Sequence, residues 1–196
     1  RTLPPWLFEK DPDQAILRDD GIRLAYGGRY TYCINHPLLR EKAGALAAAL
    51  AEHYGDDERV VGWHLDNEQG HEFDCHCDIC RKKFHEWLGN RYGTIDELNR
   101  RWGTVFWGQE YDRFDQVPPP GIQQGAHNPA HVVAWRRFRS DCTIEAMRVQ
   151  ADAVRRHAAP GQFVTTNFQW WNPRTDYFKS AEALDVAGTN RSEERR

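Results

Sequence analysis

The sequence predicts an α/β fold built from parallel βα units, and three observations predict it. Short apolar runs at 60–65 and 163–168 have the length of buried strands and are bounded by charged or Pro/Gly segments. Amphipathic stretches with start and stop signals of helices precede and separate those runs. The loops after the runs are much longer than the loops that lead into them, and in a barrel that asymmetry puts the long loops on the face where active sites form.

Taken in order, the first thirty residues are rich in Pro, Gly and charge, show little periodicity, and read as a long loop. Asn35-His36-Pro37 is a helix start with Pro at the first helical position. The stripe Leu39, Ala43, Leu46, Leu50 and Tyr54 comes next, and Gly55 supplies the stop. Val60-Val61-Gly62-Trp63-His64-Leu65 then fits a buried parallel strand with Asp66-Asn67-Glu68 at its C-terminal end. A cysteine cluster leads into a helix with Phe84, Leu88 and Tyr92 on one face and Gly93 at its end. Thr94-Ile95-Asp96-Glu97 is a capping box for a short helix ending near Trp102-Gly103. Pro118-Pro119-Pro120-Gly121 is too rigid and donor-poor for helix or central strand. Asn128-Pro129 opens the longest helix, with Trp135, Phe138, Cys142, Val149 and Ala153 in its stripe, and Pro160-Gly161 ends it. Phe163-Val164-Thr165-Thr166-Asn167-Phe168 is a β-branched, aromatic strand, and 183–186 reads as one more short strand.

Composition narrows the function. A chain of 196 residues can bury a sizeable core, but it is short for a complete (β/α)₈ barrel, which takes about 250 residues. Net charge is −3, from 26 Lys and Arg against 29 Asp and Glu interspersed along the chain, so the basic stripe of a nucleic-acid binder is missing. No apolar run approaches the ~20 residues of a membrane span, and there is no signal-peptide core. Eight Trp suit sugar faces as well as a core. The start at Arg1 rather than Met reads as a cut into a longer protein, and 189–196 as a polar tail after a segment at 1–188. Three of the five Cys fall within six positions, which favours metal ligation over disulfides and a reducing, cytoplasmic setting.

Asn67-Glu68 is the dipeptide with the most chemistry. A carboxylic acid at the C-terminal mouth of a strand can sit in a partly dry cleft and serve as a general acid, and the adjacent Asn can bind a sugar hydroxyl. The bland alternative is a solvated turn cap. Cys75-x-Cys77-x-x-Cys80 brings three thiols within one or two turns, suiting tetrahedral zinc, with Cys33 as the best fourth ligand. His71, His76 and His85 are possible substitutes, and reduced buried thiols are the competing reading. Cys142 reads as core.

Val61-Gly62-Trp63-His64-Leu65-Asp66-Asn67-Glu68-Gln69-Gly70 resembles the fourth-strand segment of glycoside hydrolase family 42 β-galactosidases. Further segments resemble that family in the same order: Pro5-Trp6-Leu7, Arg29 to Cys33, Cys75 to Cys80, Arg91 to Thr94, Leu98 to Trp107, and Thr165 to Phe168 as the fifth strand. The resemblance implies part of a (β/α)₈ TIM barrel with long βα loops and a structural zinc site. It implies retaining hydrolysis of β-galactosides, with Glu68 as acid/base. Asn67, Arg29 and Trp107 would contact the sugar and Asn167 would be a weaker subsite residue. Zinc would sit on Cys33, Cys75, Cys77 and Cys80, and the family often forms trimers. The nucleophilic glutamate of the family lies on a later strand, and Asp176, Glu182, Asp185, Glu193 and Glu194 do not resemble its context. A non-catalytic, zinc-stabilised module that binds sugar or a partner is therefore the second expectation.

Overall fold

The computed structural model describes residues 2–70, 74–121, 127–169 and 172–189, with the side chain of Trp107 also outside the description. The described residues form a three-stranded parallel sheet in the order β1-β2-β3 with helices packed against it. β1 is Gly62–His64, β2 Phe163–Phe168 and β3 Val186–Thr189, and Trp63 pairs with Val164 while Asn167 pairs with Gly188. Val164, Thr166 and Phe168 alternate inward on β2, as a strand with one covered face requires.

The helices are α1 (Pro5–Lys10), α2 (Pro37–Tyr54), α3 (Asp78–Tyr92), α4 (Ile95–Trp102), α5 (Pro129–Arg155) and α6 (Tyr177–Ala181). α1 and α6 depart from expectation. The opening residues are no continuous loop: Pro4 and Pro5 start a helix, and Leu3 and Leu7 are buried against Tyr32. Isolated antiparallel bridges, Ala15 to Tyr32 and Leu17 to Arg23, hold the 15–32 segment. The last strand begins at Val186, not at 183. Ala183 and Leu184 instead form the turn after α6, their amides donating to Ser180 O and Ala181 O, while Leu184 buries against β2 and α5. Of the tail expected at 189–196, Thr189 closes β3 and 190–196 lie outside the described residues.

The face of α2 that is covered also differs from the stripe. Leu46, Leu50 and Tyr54 are exposed, whereas Gly44, Ala47 and Ala51 meet α5. A Cβ at Gly44 would stand 3.2 Å from Val149 Cγ1, so small residues, not large apolar ones, let these two helices approach. Leu46 and Leu50 line, with Leu3, Leu7, Trp63 and Leu65, a groove of about 710 Å³ beside β1. No helix among the described residues is long and apolar enough to cross a membrane.

Two cores result. Ala51, Met147, Ala151 and Val154 close over Val164, Phe168 and Leu65 of the sheet. Phe84, Leu88, Leu98, Trp102, Trp135 and Phe138 lock α3, α4 and α5 together. Thr94 caps α4 by accepting from Glu97 N at 3.3 Å, but the Glu97 carboxylate takes Arg100 and Arg101 instead of returning to the cap, so the box is only half made. Asn128 caps α5 through Ala130 N at 2.9 Å.

Candidate active site

β1 ends at His64, and Leu65 N still donates to Thr165 O of the neighbouring strand at 2.8 Å. The chain then turns through left-handed backbone at Asp66 (φ 40) and Glu68 (φ 48), conformations that L-residues adopt at a cost. The end of β2 holds the turn. Glu68 N faces Asn167 O at 3.2 Å and Asn167 Oδ1 at 3.3 Å, and Asn167 Nδ2 donates to Asn67 Oδ1 at 3.0 Å. Asp66 contributes from within, its carboxylate accepting from Asn67 N, Tyr32 OH and Gln69 Nε2.

The Glu68 side chain, 17% exposed, is met from two sides. Asn67 Nδ2 donates to Oε2 at 3.1 Å, and Arg29 Nη2 lies 3.6 Å from the same oxygen. Tyr30 stands between them: its hydroxyl is 3.4 Å from Glu68 Oε2, 3.3 Å from Asn67 O, 3.1 Å from Asn67 Nδ2 and 2.9 Å from Arg29 Nη2. The structure thus brings Glu68, Asn67, Arg29 and Asn167 into one hydrogen-bonded group. Trp107 falls in the short 3₁₀ turn Phe106–Gly108, and its side chain is outside the described residues.

Sequence reasoning missed Tyr30, Tyr32, Asp66 and Tyr177. Tyr177 lies against Phe168 in a tilted pair with ring centroids 4.5 Å apart, and burial, then the charge of Glu68, pushes its phenol above the usual range. The only sequence signal for Tyr30 and Tyr32 was their place between Arg29 and Cys33. No local pattern announces a side chain whose partner lies 38 residues away.

The second cluster is sulfur. Cys33, Cys75, Cys77 and Cys80 are buried free thiols, and their sulfurs all lie within 4.8 Å of one another. Cys33 Sγ is 3.8 Å from Cys77 Sγ and 3.4 Å from Cys80 Sγ. Four thiolates around a metal at about 2.3 Å would have edges of about 3.8 Å, so the residues fit a tetrahedral ion. Contacts from Cys33, then Cys75 and Cys80, hold the Cys77 thiol far below its usual range. The same cluster, Cys33 foremost, pushes Cys80 far above it. Four thiols this close cannot all ionise unless a cation compensates them. Asn35 Nδ2 faces Cys80 Sγ at 3.4 Å, the kind of outer hydrogen bond that orients a ligand.

Two of the histidines that could substitute as ligands are placed elsewhere. His85 Nε2 faces Val117 O at 2.9 Å, and the His76 ring lies against Trp135. His71 is outside the described residues. Cys142 is a buried core thiol on α5, and burial pushes it up to about 11.

Comparison with known proteins identifies the family and the fold. The family model described as beta-galactosidase, glycoside hydrolase family 42, matches residues 1–192. A β-galactosidase of Thermus thermophilus is 41% identical over 188 residues, 95% of this chain and 29% of the relative. The β-galactosidase Bga of Halorubrum lacusprofundi is 40% identical over 186 residues, 94% of this chain and 26% of the relative. The solved structure of a polyextremophilic β-galactosidase from that haloarchaeon superposes with a TM-score of 0.92 at 38% identity, covering 97% of this chain and 29% of its own. The chain therefore spans between a quarter and a third of the length of the relatives it matches.

Proposed function

The chain belongs to glycoside hydrolase family 42, and from that premise we propose that it supplies the acid/base half of a β-galactosidase active site. The observation that carries the reading is the convergence of Asn67, Arg29, Tyr30 and Asn167 on Glu68 at the C-terminal end of β1. In a (β/α)₈ barrel that end of the strands is where catalytic groups sit. Glu68 would give its proton to the departing glycosidic oxygen as a second carboxylate attacks the anomeric carbon. As a carboxylate it would then take a proton from the water that releases the sugar. Asn67 and Arg29 would hold galactosyl hydroxyls, with Asn167 and Trp107 completing the subsite.

The attacking carboxylate, on this reading, is not among the acids of this sequence. In support, Asp176 caps α6, Glu182 pairs with Arg148, and Asp185 accepts from Val164 N and Arg155. Glu193 and Glu194 lie outside the described residues. The four-cysteine site would hold a structural zinc ion, which when bound would neutralise the thiolates and tie down the loop after Glu68. Five free thiols agree with a reducing, cytoplasmic setting.

The test is azide rescue in protein carrying the whole barrel. Glu68→Ala should lose turnover of an aryl β-galactoside at the hydrolysis step and recover it with azide, giving the β-galactosyl azide. Full activity in Glu68→Ala, or no rescue by azide, would overturn the assignment. This chain alone should release no nitrophenol from the same substrate at an enzyme's rate.

A further inference from the structure

Tyr30 is an aromatic residue in left-handed backbone, φ 58, where Gly or Asn would sit at less cost. Its ring carries the Arg29 guanidinium 5.0 Å from the ring centroid, with Arg29 itself exposed. A phenol has one proton to give and two lone pairs to receive. Arg29 Nη2, at 2.9 Å, and Asn67 Nδ2, at 3.1 Å, carry only protons, so both lone pairs are engaged as acceptors. The single proton then faces two acceptors at nearly equal range, Asn67 O at 3.3 Å and Glu68 Oε2 at 3.4 Å. A donor held between two matched acceptors turns to whichever carries more negative charge.

We propose that Tyr30 is a positioning residue for Glu68, whose hydroxyl turns its proton from Asn67 O to Glu68 Oε2 when Glu68 has given up its own. The inference rests on Glu68 being the acid/base group. While Glu68 holds its proton for the leaving oxygen, the Tyr30 hydroxyl rests on the Asn67 carbonyl. As charge develops on the carboxylate, the hydroxyl rotates to it, and the Arg29 contact polarises the phenol toward giving a stronger hydrogen bond. No proton leaves Tyr30. The separations of 3.3 and 3.4 Å are those of contacts that tighten in the loaded site. The left-handed turn is the geometric condition for all of this, because it lets adjacent Arg29 and Tyr30 reach the same carboxylate.

The experiment compares kcat/KM for two leaving groups in protein carrying the whole barrel. A dinitrophenyl β-galactoside leaves without acid assistance, whereas methyl β-galactoside needs it. Tyr30→Phe keeps the ring and the backbone and removes one hydroxyl. The methyl galactoside should lose about 10- to 100-fold, the worth of one hydrogen bond to a developing charge, and the dinitrophenyl substrate about threefold or less. Equal losses on both substrates would make Tyr30 a merely structural prop and overturn the proposal, as would no loss on either. If Tyr30→Phe does not fold, Tyr30→Asn, whose residue type tolerates the same backbone, is held to the same criterion. Glu68→Gln is run alongside. Should it hit both leaving groups equally, it is the acid/base assignment that fails, whatever Tyr30→Phe shows.

Discussion

Gly70→Ala tests the coupling between the turn that carries Glu68 and the 172–176 segment packed against it. Gly70 sits at φ 98, and a Cβ built there collides with Thr175 Oγ1 and comes within 3.3 Å of Asn172 Nδ2. Two costs in stability can be separated. The left-handed backbone disfavours Ala by about 1–2 kcal/mol. The collision is relieved only if the 172–176 segment moves, and moving it breaks the buried 3.1 Å hydrogen bond from Asn172 Nδ2 to Gly70 O, about 1–3 kcal/mol. The sum is about 2–5 kcal/mol, read as a shift of the urea midpoint at unchanged slope. Displacing the turn also moves Glu68, two residues away, and on the acid/base reading a misplacement of about 1 Å should cost about a hundredfold in kcat/KM in protein carrying the whole barrel. Thr175 Oγ1 is buried with no hydrogen-bond partner among the described residues, so Thr175→Ala alone should be mild. In the Thr175→Ala background, Gly70→Ala should cost only the backbone share of about 1–2 kcal/mol. Equal costs in both backgrounds, or an unaffected Gly70→Ala enzyme, would refute the reasoning.

Cys77→Ser, or a strong chelator, should remove one equivalent of zinc per chain by elemental analysis and collapse the 15–33 segment, which packs Ile16 on the sulfurs; a fully folded metal-free protein would refute it. Phe84→Ala should destabilise by about 3–5 kcal/mol in urea, because Phe84 is fully buried among Trp87, Trp135 and Phe138, and a loss below about 1 kcal/mol would mean that this core can collapse around the void. Burial lowers His131 to about 4 against an ordinary value near 6.5, so the fold holds it neutral. The unfolded chain takes up the proton first as pH falls. Stability from this group is therefore complete above pH ~6.5 and drains away by pH ~4, about 3 kcal/mol in all. Urea titrations of His131→Gln should lose that part of the slope, and an unchanged slope would assign it to other groups.

How much of this was legible in the sequence depended on whether the determining interaction was local. α3, α4 and α5 and the strand at 163–168 were readable because their caps, periodicity and β-branched residues lie within each segment. α1 and α6 were not, since helices of six and five residues depend on tertiary contacts such as Leu7 on Tyr32 and Asp176 N on Ser140 Oγ. The stripe on α2 was a real pattern given the wrong neighbour. Its large residues line the groove beside β1, while Gly44 and Ala51 take α5. At the site, Asn67-Glu68 was visible as strand-end chemistry and the cysteines as ligand spacing. The geometry that joins Arg29, Tyr30 and Asn167 to Glu68 was not, because it is set by backbone angles that no residue type there announces.

Those angles carry a physical implication. Tyr30, Asp66 and Glu68 are the non-glycine residues with positive φ among those described, and all three belong to one hydrogen-bonded group. Strain of that kind persists only where the surroundings over-determine it. Asn167, at the end of β2, fixes Glu68 through its amide. Cys33, three residues after Tyr30, and Cys75, seven after Glu68, join in the sulfur cluster. β2 thus holds the Glu68 segment, and the Tyr30 segment is joined to it through the Tyr30 hydroxyl and runs on to Cys33 in the sulfur cluster. Arg29 and Tyr30 come from one part of the chain and Glu68 from another, and Cys33 and Cys75, one from each part, meet in the sulfur cluster.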